Sequence, residues 1–540
     1  MLIKNTTIQN RSKRARLDSQ HIIPTHGIMN KQVVPFLESL MKLDAPKEII
    51  LFSIGRKLAG ENPNPYFQEF LAEYKYLDII IPEPPSEQFD LLGIAYQYLS
   101  SKSENLERGS FYTGYNMARD FVKDLSFKQN ETILDPSCGS GAFLFSSDAS
   151  PNQIYGVDAD PLAIMIAKFN YFIKFPSAQT PNLFCEDFFR WFDRNSKSRF
   201  DYIIGNPPYG ANVDISKLGS LHVTSGESFS YFIEYGFCLM KSDGLLRFLL
   251  PESLLNIKRH TDIRDFILNH TNLTRVKRYQ SRFAGLMSDV YLLELRKGET
   301  TSVLFEDKET TNIPVDIFQD LKNHIIVHLT DSDISILSKV MKRKSHDLSN
   351  SLFGLGVVTG DNKSKLFREP TKGSEPIITG KEVQKYRLLE PKNYIVFDRE
   401  NLQQVAPDSL YRAPEKLVYK VINRHLRVAI DTESRLTTNS ANLFIPKIEG
   451  LNAICVMALL NSDLYSYLHL KLFGGVNKIA KENLMSLPFP ELTSEQSGQL
   501  EALTRQVIQD GDDIYLQKYI HKDIFDLKDE EVSYIQGRLV

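Results

Sequence analysis

The chain has few cysteines, no long apolar run and no excess of either charge, and each scarcity removes a class of protein. Four cysteines, Cys138, Cys185, Cys238 and Cys455, are spread over 540 residues. None forms a C-x-x-C pair, so neither a disulfide framework nor a zinc site is expected, no metal is assigned, and a reducing cytoplasm is implied. No stretch reaches the roughly 18 apolar residues that a membrane helix needs, and Met1 to Arg16 carries no apolar stretch of leader type, so no membrane association is expected. Lys and Arg number 64 against 67 Asp and Glu, a net charge of -3. A chain-wide polycation is excluded, and any polyanionic partner must meet a local basic surface.

What is present is ordinary globular composition, 42% hydrophobic and 24% charged, with 28 Gly and 25 Pro. The length corresponds to about three or four domains. Residues 1–105 read as a helical region, with apolar spacing in Val34 to Met41, Ile49 to Leu58 and Phe67 to Leu77, interrupted at Ile81-Pro82-Glu83-Pro84-Pro85. Prolines fix φ and remove donors, so that break reads as a linker. From 106 to 300, short apolar runs alternate with helix-period segments: Thr132-Ile133-Leu134, Ile154 to Val157, Tyr202-Ile203-Ile204, Gly244 to Leu250 and Val290 to Leu295. That alternation predicts an α/β domain with a mainly parallel sheet, whose ligands bind at the carboxyl ends of the strands. A connecting segment, 301–345, leads to a domain of short strands and turns at 346–495, and an acidic helical segment, 496–540, follows. Between Val340 and Ile430 there are 17 Lys and Arg against 10 Asp and Glu, so basic charge is concentrated there.

The first apolar run enters Asp135-Pro136-Ser137-Cys138-Gly139-Ser140-Gly141 and then a helix-compatible segment. Glycines at a strand-to-helix turn let a ligand approach the backbone. The dinucleotide fingerprint G-x-G-x-x-G is not met, because Leu144 stands where its third glycine belongs. The second run ends at Asp158, placed to accept two ribose hydroxyls. The third delivers Asp187 and Phe188, an acceptor and an aromatic wall suited to adenine. Singly, Asp135 and Asp158 also suit helix caps, and a glycine pair suits a plain turn. In order, three strands with an acid at each carboxyl end describe a pocket for an adenosyl group without a phosphate anchor.

The fourth run ends in Gly205-Asn206-Pro207-Pro208-Tyr209-Gly210. A doubled proline makes a rigid turn that cannot continue a strand and leaves carbonyls facing outward. An Asn amide oxygen and a proline carbonyl can accept both hydrogens of an exocyclic amino group, and Tyr209 offers a flat face to a planar base. The adenine amino nitrogen is a poor nucleophile because its lone pair is delocalised into the ring. Two acceptors draw it towards tetrahedral geometry and stabilise the charge that develops.

In these motifs and their order the chain resembles the γ-class DNA adenine-N6 methyltransferases, the TaqI-like modification methylases of restriction-modification systems. The resemblance runs from about residue 108 to the C-terminus. It implies a Rossmann-like S-adenosylmethionine-dependent methyltransferase domain followed by an α+β DNA-specificity domain. For the cofactor it implicates Phe111 and Thr113 in Gly109-Ser110-Phe111-Tyr112-Thr113, then Asp135, Pro136, Cys138, Gly139, Gly141, Asp158, Asp187 and Phe188. A proline usual in the family after the threonine is Gly114 here. For catalysis it implicates Asn206, Pro207, Pro208 and Tyr209, with Phe283 as the second face of the sandwich around the base; Phe283 also suits a core aromatic. Ser228 to Met240 and Gly244 to Leu255 resemble the helix and strand that follow the catalytic motif.

The substrate implied is double-stranded DNA with the target base turned out of the stack. Gly354 to Lys363, Ile377 to Glu382, Leu460-Asn461-Ser462 and Leu487 to Pro490 resemble the TaqI-type specificity domain. Lys363, Lys365, Arg368 and Lys381 are candidates for phosphate contact, and solvated surface charge suits them equally. The resemblance also implies a monomer in a bacterial cytoplasm, with a cognate restriction endonuclease as functional partner.

Three rival readings remain. A protein-glutamine or ribosomal-RNA amino methyltransferase also suits Asn-Pro-Pro-Tyr, although such enzymes lack a large domain after the catalytic one. A bifunctional restriction endonuclease and methyltransferase is suggested by Glu73-Tyr74-Lys75 with Asp44 upstream. A non-catalytic specificity subunit is disfavoured by the intact Asn206 to Tyr209.

Overall fold

The computed structural model describes residues 32–76, 79–85, 90–100, 113–210, 218–219, 222–279, 289–319, 325–326, 328–473 and 478–539. The chain forms two units, 1–312 and 313–540.

The first unit begins with helices α1 (Val33–Leu40), α2 (Lys47–Ala59), α3 (Pro65–Ala72) and α4 (Leu91–Leu99). Asn64 caps α3 by accepting the Tyr66 N–H, with Pro65 at the first helical position, a pairing that satisfies one orphan donor and presets φ. The periodic apolar pattern that continues to Leu77 outlasts this helix, which stops at Ala72. Next come α5 (Tyr115–Val122), β1 (Ile133–Asp135), α6 (Ala142–Ser146), β2 (Ile154–Asp158), α7 (Pro161–Lys174), β3 (Asn182–Cys185), α8 (Phe188–Asn195), β4 (Phe200–Gly205), α9 (Ser228–Leu239), β5 (Met240–Pro251) and α10 (Thr261–His270). Strands β6 (Asn272–Tyr279), β7 (Val290–Arg296), β8 (Ser302–Glu306) and β9 (Thr310–Pro314) complete the sheet.

Among the described residues the strand order is β3-β2-β1-β4-β5-β7-β6-β8-β9. The run from β3 to β5 is parallel, and β7 inserts antiparallel between β5 and β6. This is the α/β, Rossmann-like architecture that the alternating pattern predicts. The chain steps outward from β1 to β2 and β3 on one side, then returns to place β4 and β5 on the other. The order therefore reverses between β1 and β4, and a crevice opens at their carboxyl ends. Buried side chains of α1 to α4 join one apolar core with those of β1, α6 and α7, including Phe52, Phe67, Ile94, Phe143 and Phe169.

In the second unit α11 (Asp331–Lys342) starts with a reciprocal capping box between Thr330 and Asp333. Short strands follow: β10 (Lys344–His346), β11 (Leu352–Gly354), β12 (Glu375–Ile378), β13 (Tyr394–Ile395), β14 (Lys416–Lys420), β15 (Val428–Asp431), β16 (Leu436–Thr437), β17 (Ala441–Ile445) and β18 (Phe489–Pro490). They form small sheets ordered β11-β17-β14-β15 and β13-β12-β16 over a shared core that includes Val357, Ile377, Val418 and Leu443. Helices α12 (Ala453–Asn461), α13 (Asp463–Phe473), α14 (Ser494–Asp510) and α15 (Asp529–Leu539) complete an α+β unit. No helix among the described residues is long and apolar enough to cross a membrane.

Candidate active site

The turn after β1 is held from the neighbouring strand end. Asp158, the last residue of β2, accepts the Gly139 N–H at 2.8 Å and the Asp160 N–H at 2.9 Å. Two backbone bonds on one carboxylate fix the orientation of Asp158 between the two turns. Cys138, 5% exposed, donates its N–H to the Val157 carbonyl at 3.0 Å, and Gly141 closes the turn onto the Cys138 carbonyl at 2.8 Å. Gly139 and Gly141 have φ of +53° and +83°, the left-handed region that suits glycine. A side chain at Gly139 would meet nothing within 4 Å, so the backbone there borders open space.

Asp135 and Pro136 are buried at the bottom of this crevice. Asp135 accepts the Ser137 N–H at 3.0 Å, and burial pushes its carboxyl well above the usual carboxylate range. Its other neighbour is the start of the turn after β4, because a Cβ on Gly205 would lie 2.6 Å from Asp135 Oδ1. Ser137 Oγ is buried with no hydrogen-bond partner among the described residues. An orphaned hydroxyl, an open glycine backbone and two acids at adjacent strand ends fit a polar, hydroxyl-rich ligand such as an adenosyl group.

At the end of β3, Asp187 is exposed and caps α8 by accepting the Arg190 N–H at 3.1 Å. The wall expected of Phe188 is turned inward. That residue is 3% exposed, and its ring stacks on Phe232 at 5.0 Å and 22°, so packing against α9 claims the ring.

The turn after β4 brings three of the expected residues together. Asn206 donates from Nδ2 to Thr113 Oγ1 at 3.5 Å, which joins the segment before α5 to this turn across 93 residues of sequence. Its Oδ1 accepts the Tyr209 hydroxyl at 2.5 Å, and that hydroxyl also lies 2.8 Å from the Leu249 carbonyl. Burial pushes the Tyr209 phenol well above its ordinary value, so it stays a donor. Ser228, at the start of α9, donates to the Pro208 carbonyl at 2.5 Å and pins the doubled proline. Phe111 and Phe283 lie outside the described residues.

Helix α5 is fastened to the sheet by an ion network that the sequence does not advertise. Arg247, 2% exposed on β5, bonds Glu294 at 2.6 Å, Asp124 at 2.7 Å and the Phe121 carbonyl at 2.5 Å. Asp120 takes Lys123, Lys277 and Tyr279; burial opposes its charge, yet these three donors hold its carboxyl down at about 2. Most of these charges pair with residues far away in sequence, so no local spacing marks them.

Among the described residues of the second unit, the side chains of Lys363, Arg368 and Lys381 carry no such bracing role, and all three are exposed. Lys365 differs from them. Its ammonium donates to the Thr359 carbonyl at 2.8 Å and to the Asn401 carbonyl, so it ties its own loops together. Glu73, from the nuclease-like triplet, pairs with Lys168 at 2.9 Å.

Residues 152–283 match the model of the Eco57I restriction-modification methylase, and residues 375–489 match the TaqI-like C-terminal specificity domain. The chain thus carries a region similar to a restriction-modification methylase followed by one similar to a TaqI-like specificity domain. Among curated relatives, the Type II methyltransferase M.VspI of Vibrio sp. (strain 343) is 25% identical over 303 residues, 53% of this chain and 74% of its own length. The Type I restriction enzyme MjaIX methylase subunit of Methanocaldococcus jannaschii is 31% identical over 132 residues, 22% of this chain and 23% of its own length. Among solved structures, the Type IIL restriction-modification enzyme MmeI in complex with DNA superposes with a TM-score of 0.49 at 12% identity, covering 95% of this chain and 89% of that one.

Proposed function

We propose that the chain is a site-specific DNA methyltransferase that methylates N6 of an adenine turned out of duplex DNA, using S-adenosylmethionine. The observation that carries the reading is the Asn206 to Tyr209 turn at the end of β4, beside the glycine turn at the end of β1. Bound in the crevice, S-adenosylmethionine supplies an electrophilic methyl group.

The residues of the chain then divide the work. Asp158 accepts the ribose hydroxyls and Asp187 the adenine amino group of the cofactor, while Pro136, Cys138, Gly139 and Gly141 present backbone. Thr113 and Phe111 close the methionine end. Asn206 Oδ1 and the Pro207 carbonyl accept the two hydrogens of the target amino group, because the Pro208 carbonyl is already held by Ser228. The Tyr209 hydroxyl leaves Asn206 Oδ1 as the base arrives, and the Tyr209 ring, with Phe283, stacks on it. Two acceptors raise the electron density on nitrogen and stabilise charge in the transition state, so no strong base is required.

The second unit finds the sequence, and Lys363, Arg368 and Lys381 contact phosphates. In a bacterial cytoplasm the monomer would protect its sites from a cognate restriction endonuclease. The test is incubation of the purified chain with labelled S-adenosylmethionine and mixed-sequence duplex DNA. N6-methyladenine within one sequence context is the expected product, whereas label only in protein or RNA sinks the reading, and DNA cleavage on adding magnesium decides the bifunctional alternative.

A further inference from the structure

The N-terminal helices contain a buried acid that neither the catalytic turn nor the DNA-recognition candidates use. Asp90, 8% exposed, caps α4 with φ of +47°, a left-handed conformation uncommon outside glycine. Its Oδ1 accepts the Gly93 N–H at 3.0 Å and Asn170 Nδ2, from α7, at 2.8 Å. Its Oδ2 accepts the Ser140 hydroxyl at 2.6 Å. Ser140 lies between Gly139 and Gly141 in the turn after β1, and Asn170 also donates to its carbonyl at 3.0 Å. The approach is close enough to dictate which residue α4 can carry at position 93. A Cβ on Gly93 would lie 2.3 Å from Asp90 Oδ2 and 2.7 Å from Ser140 Oγ.

The same helix reaches the second jaw of the crevice. The Tyr96 hydroxyl donates to Asp160 Oδ2, Asp160 caps α7 through its Oδ1, and the Asp160 N–H is bonded to Asp158. One helix thus engages both the glycine turn and the strand end that carries the ribose acid. A cap alone needs only the Gly93 N–H, so a hydroxyl and an amide from two other elements on a buried carboxylate are unexplained by helix capping.

We propose that Asp90 and Tyr96 are positioning residues for the cofactor, with α4 clamping the turn at Ser140 and the loop at Asp160 so that Gly139 and Asp158 are preorganised for an adenosyl ligand. The inference rests on the reading of the crevice as an S-adenosylmethionine site. Burial also lifts the Asp90 carboxyl to about 6, against the pull of Ser140, Asn170 and the Gly93 N–H, which marks how far the site is withdrawn from water.

The test is calorimetric titration of the full chain with S-adenosylmethionine and S-adenosylhomocysteine, comparing wild type with Asp90→Asn, Ser140→Ala and Tyr96→Phe. Duplex DNA binding without cofactor and the cofactor-free Tm are measured in parallel. Asp90→Asn sets its amide N–H2 against the Ser140 hydroxyl that now donates to Oδ2 and should weaken cofactor binding at least tenfold. Ser140→Ala and Tyr96→Phe, each lacking one hydroxyl, should weaken it about three- to tenfold. DNA binding should stay within twofold, and KM for the cofactor should rise more than kcat falls. Cofactor affinities within twofold of wild type in Ser140→Ala and Tyr96→Phe overturn the proposal, including when Asp90→Asn fails to fold. Equal loss of cofactor and DNA binding in all three overturns it as well. A wild-type chain that binds neither ligand defeats the cofactor reading itself, an outcome distinct from equal binding by all variants.

Discussion

Both units bury braced charges, Arg247 in the first and Lys416 in the second, but they differ in what their strand ends carry. In the first, the polar side chains at the ends of β1, β2 and β4 face a crevice, and their bonds leave backbone and acceptors turned towards it. In the second, a buried cation braces the small sheet, while most Lys and Arg between 340 and 430 are exposed. Lys416 and Asp431 are both fully buried and lie 2.5 Å apart, Arg435 bonds the same carboxylate, and at the surface Arg412 grips Glu375 at 2.6 and 2.7 Å. The lesson concerns charge counting. Within the excess of basic residues between 340 and 430, Lys416 and Lys365 are taken up by the fold, because a tally does not distinguish a cation that braces a loop from one that faces solvent.

Substitutions that separate reaction from stability sharpen this contrast. The largest effect is expected at Asn206→Ala, which removes an acceptor from the developing charge. Methyl transfer should fall by about 10³-fold or more, while cofactor binding and Tm change little. A single-turnover assay with calorimetry checks both halves, and an active variant breaks the contrast at its strongest point.

The opposite signature is expected at Lys416→Ala. It leaves Asp431 buried beside Arg435 alone, and removing one partner of a buried pair destabilises by about 3 kcal/mol. Urea unfolding of the second unit should register the change, with the cofactor affinity of the chain unaltered.

A smaller effect, on pH dependence, belongs to Asp90. Its carboxyl is raised in the folded chain to about 6 from 3.8, so the folded form holds the proton more tightly than the unfolded one. Its contribution is therefore fully present at low pH and is lost as pH rises through about 6. Between about pH 5 and pH 7 the wild type should lose about 1 kcal/mol that Asp90→Asn does not lose. Denaturant titrations of both proteins at the two values measure the difference, and parallel curves refute it.

These contrasts explain which parts were legible in the sequence. The strand ends were, because β1, β2 and β4 follow one another with a motif at each end, and the parallel order then fixes where those motifs meet. The meeting of Thr113 with Asn206 was not legible, since 93 residues separate them and the resemblance assigns Thr113 to the cofactor alone. The inward turn of Phe188 was not either, because an aromatic residue in a sequence carries no direction for its ring. Asp90 was hidden for a related reason. Asp90-Leu91-Leu92-Gly93 reads as a plain helix start, and its partners Ser140 and Asn170 lie 50 and 80 residues away. Lys365 looked like Lys363 two residues earlier until loop geometry placed two carbonyls on its ammonium.

That last pair supplies the finest test of the comparison. If Lys363, Arg368 and Lys381 hold phosphates, changing each to Ala should weaken DNA binding by a few-fold at moderate salt. Each such substitution should also flatten the slope of log affinity against log salt by about 1, because one fewer counterion is released. Lys365→Ala should leave that slope unchanged and lower the Tm of the second unit instead, since its ammonium braces the Thr359 and Asn401 loops. Fluorescence anisotropy over a salt series, with thermal melts alongside, distinguishes the two behaviours. A slope change at Lys365 equal to that at Lys363 would show that bracing a loop and holding a phosphate are not exclusive uses of one lysine, and the contrast between the units would have to be redrawn residue by residue.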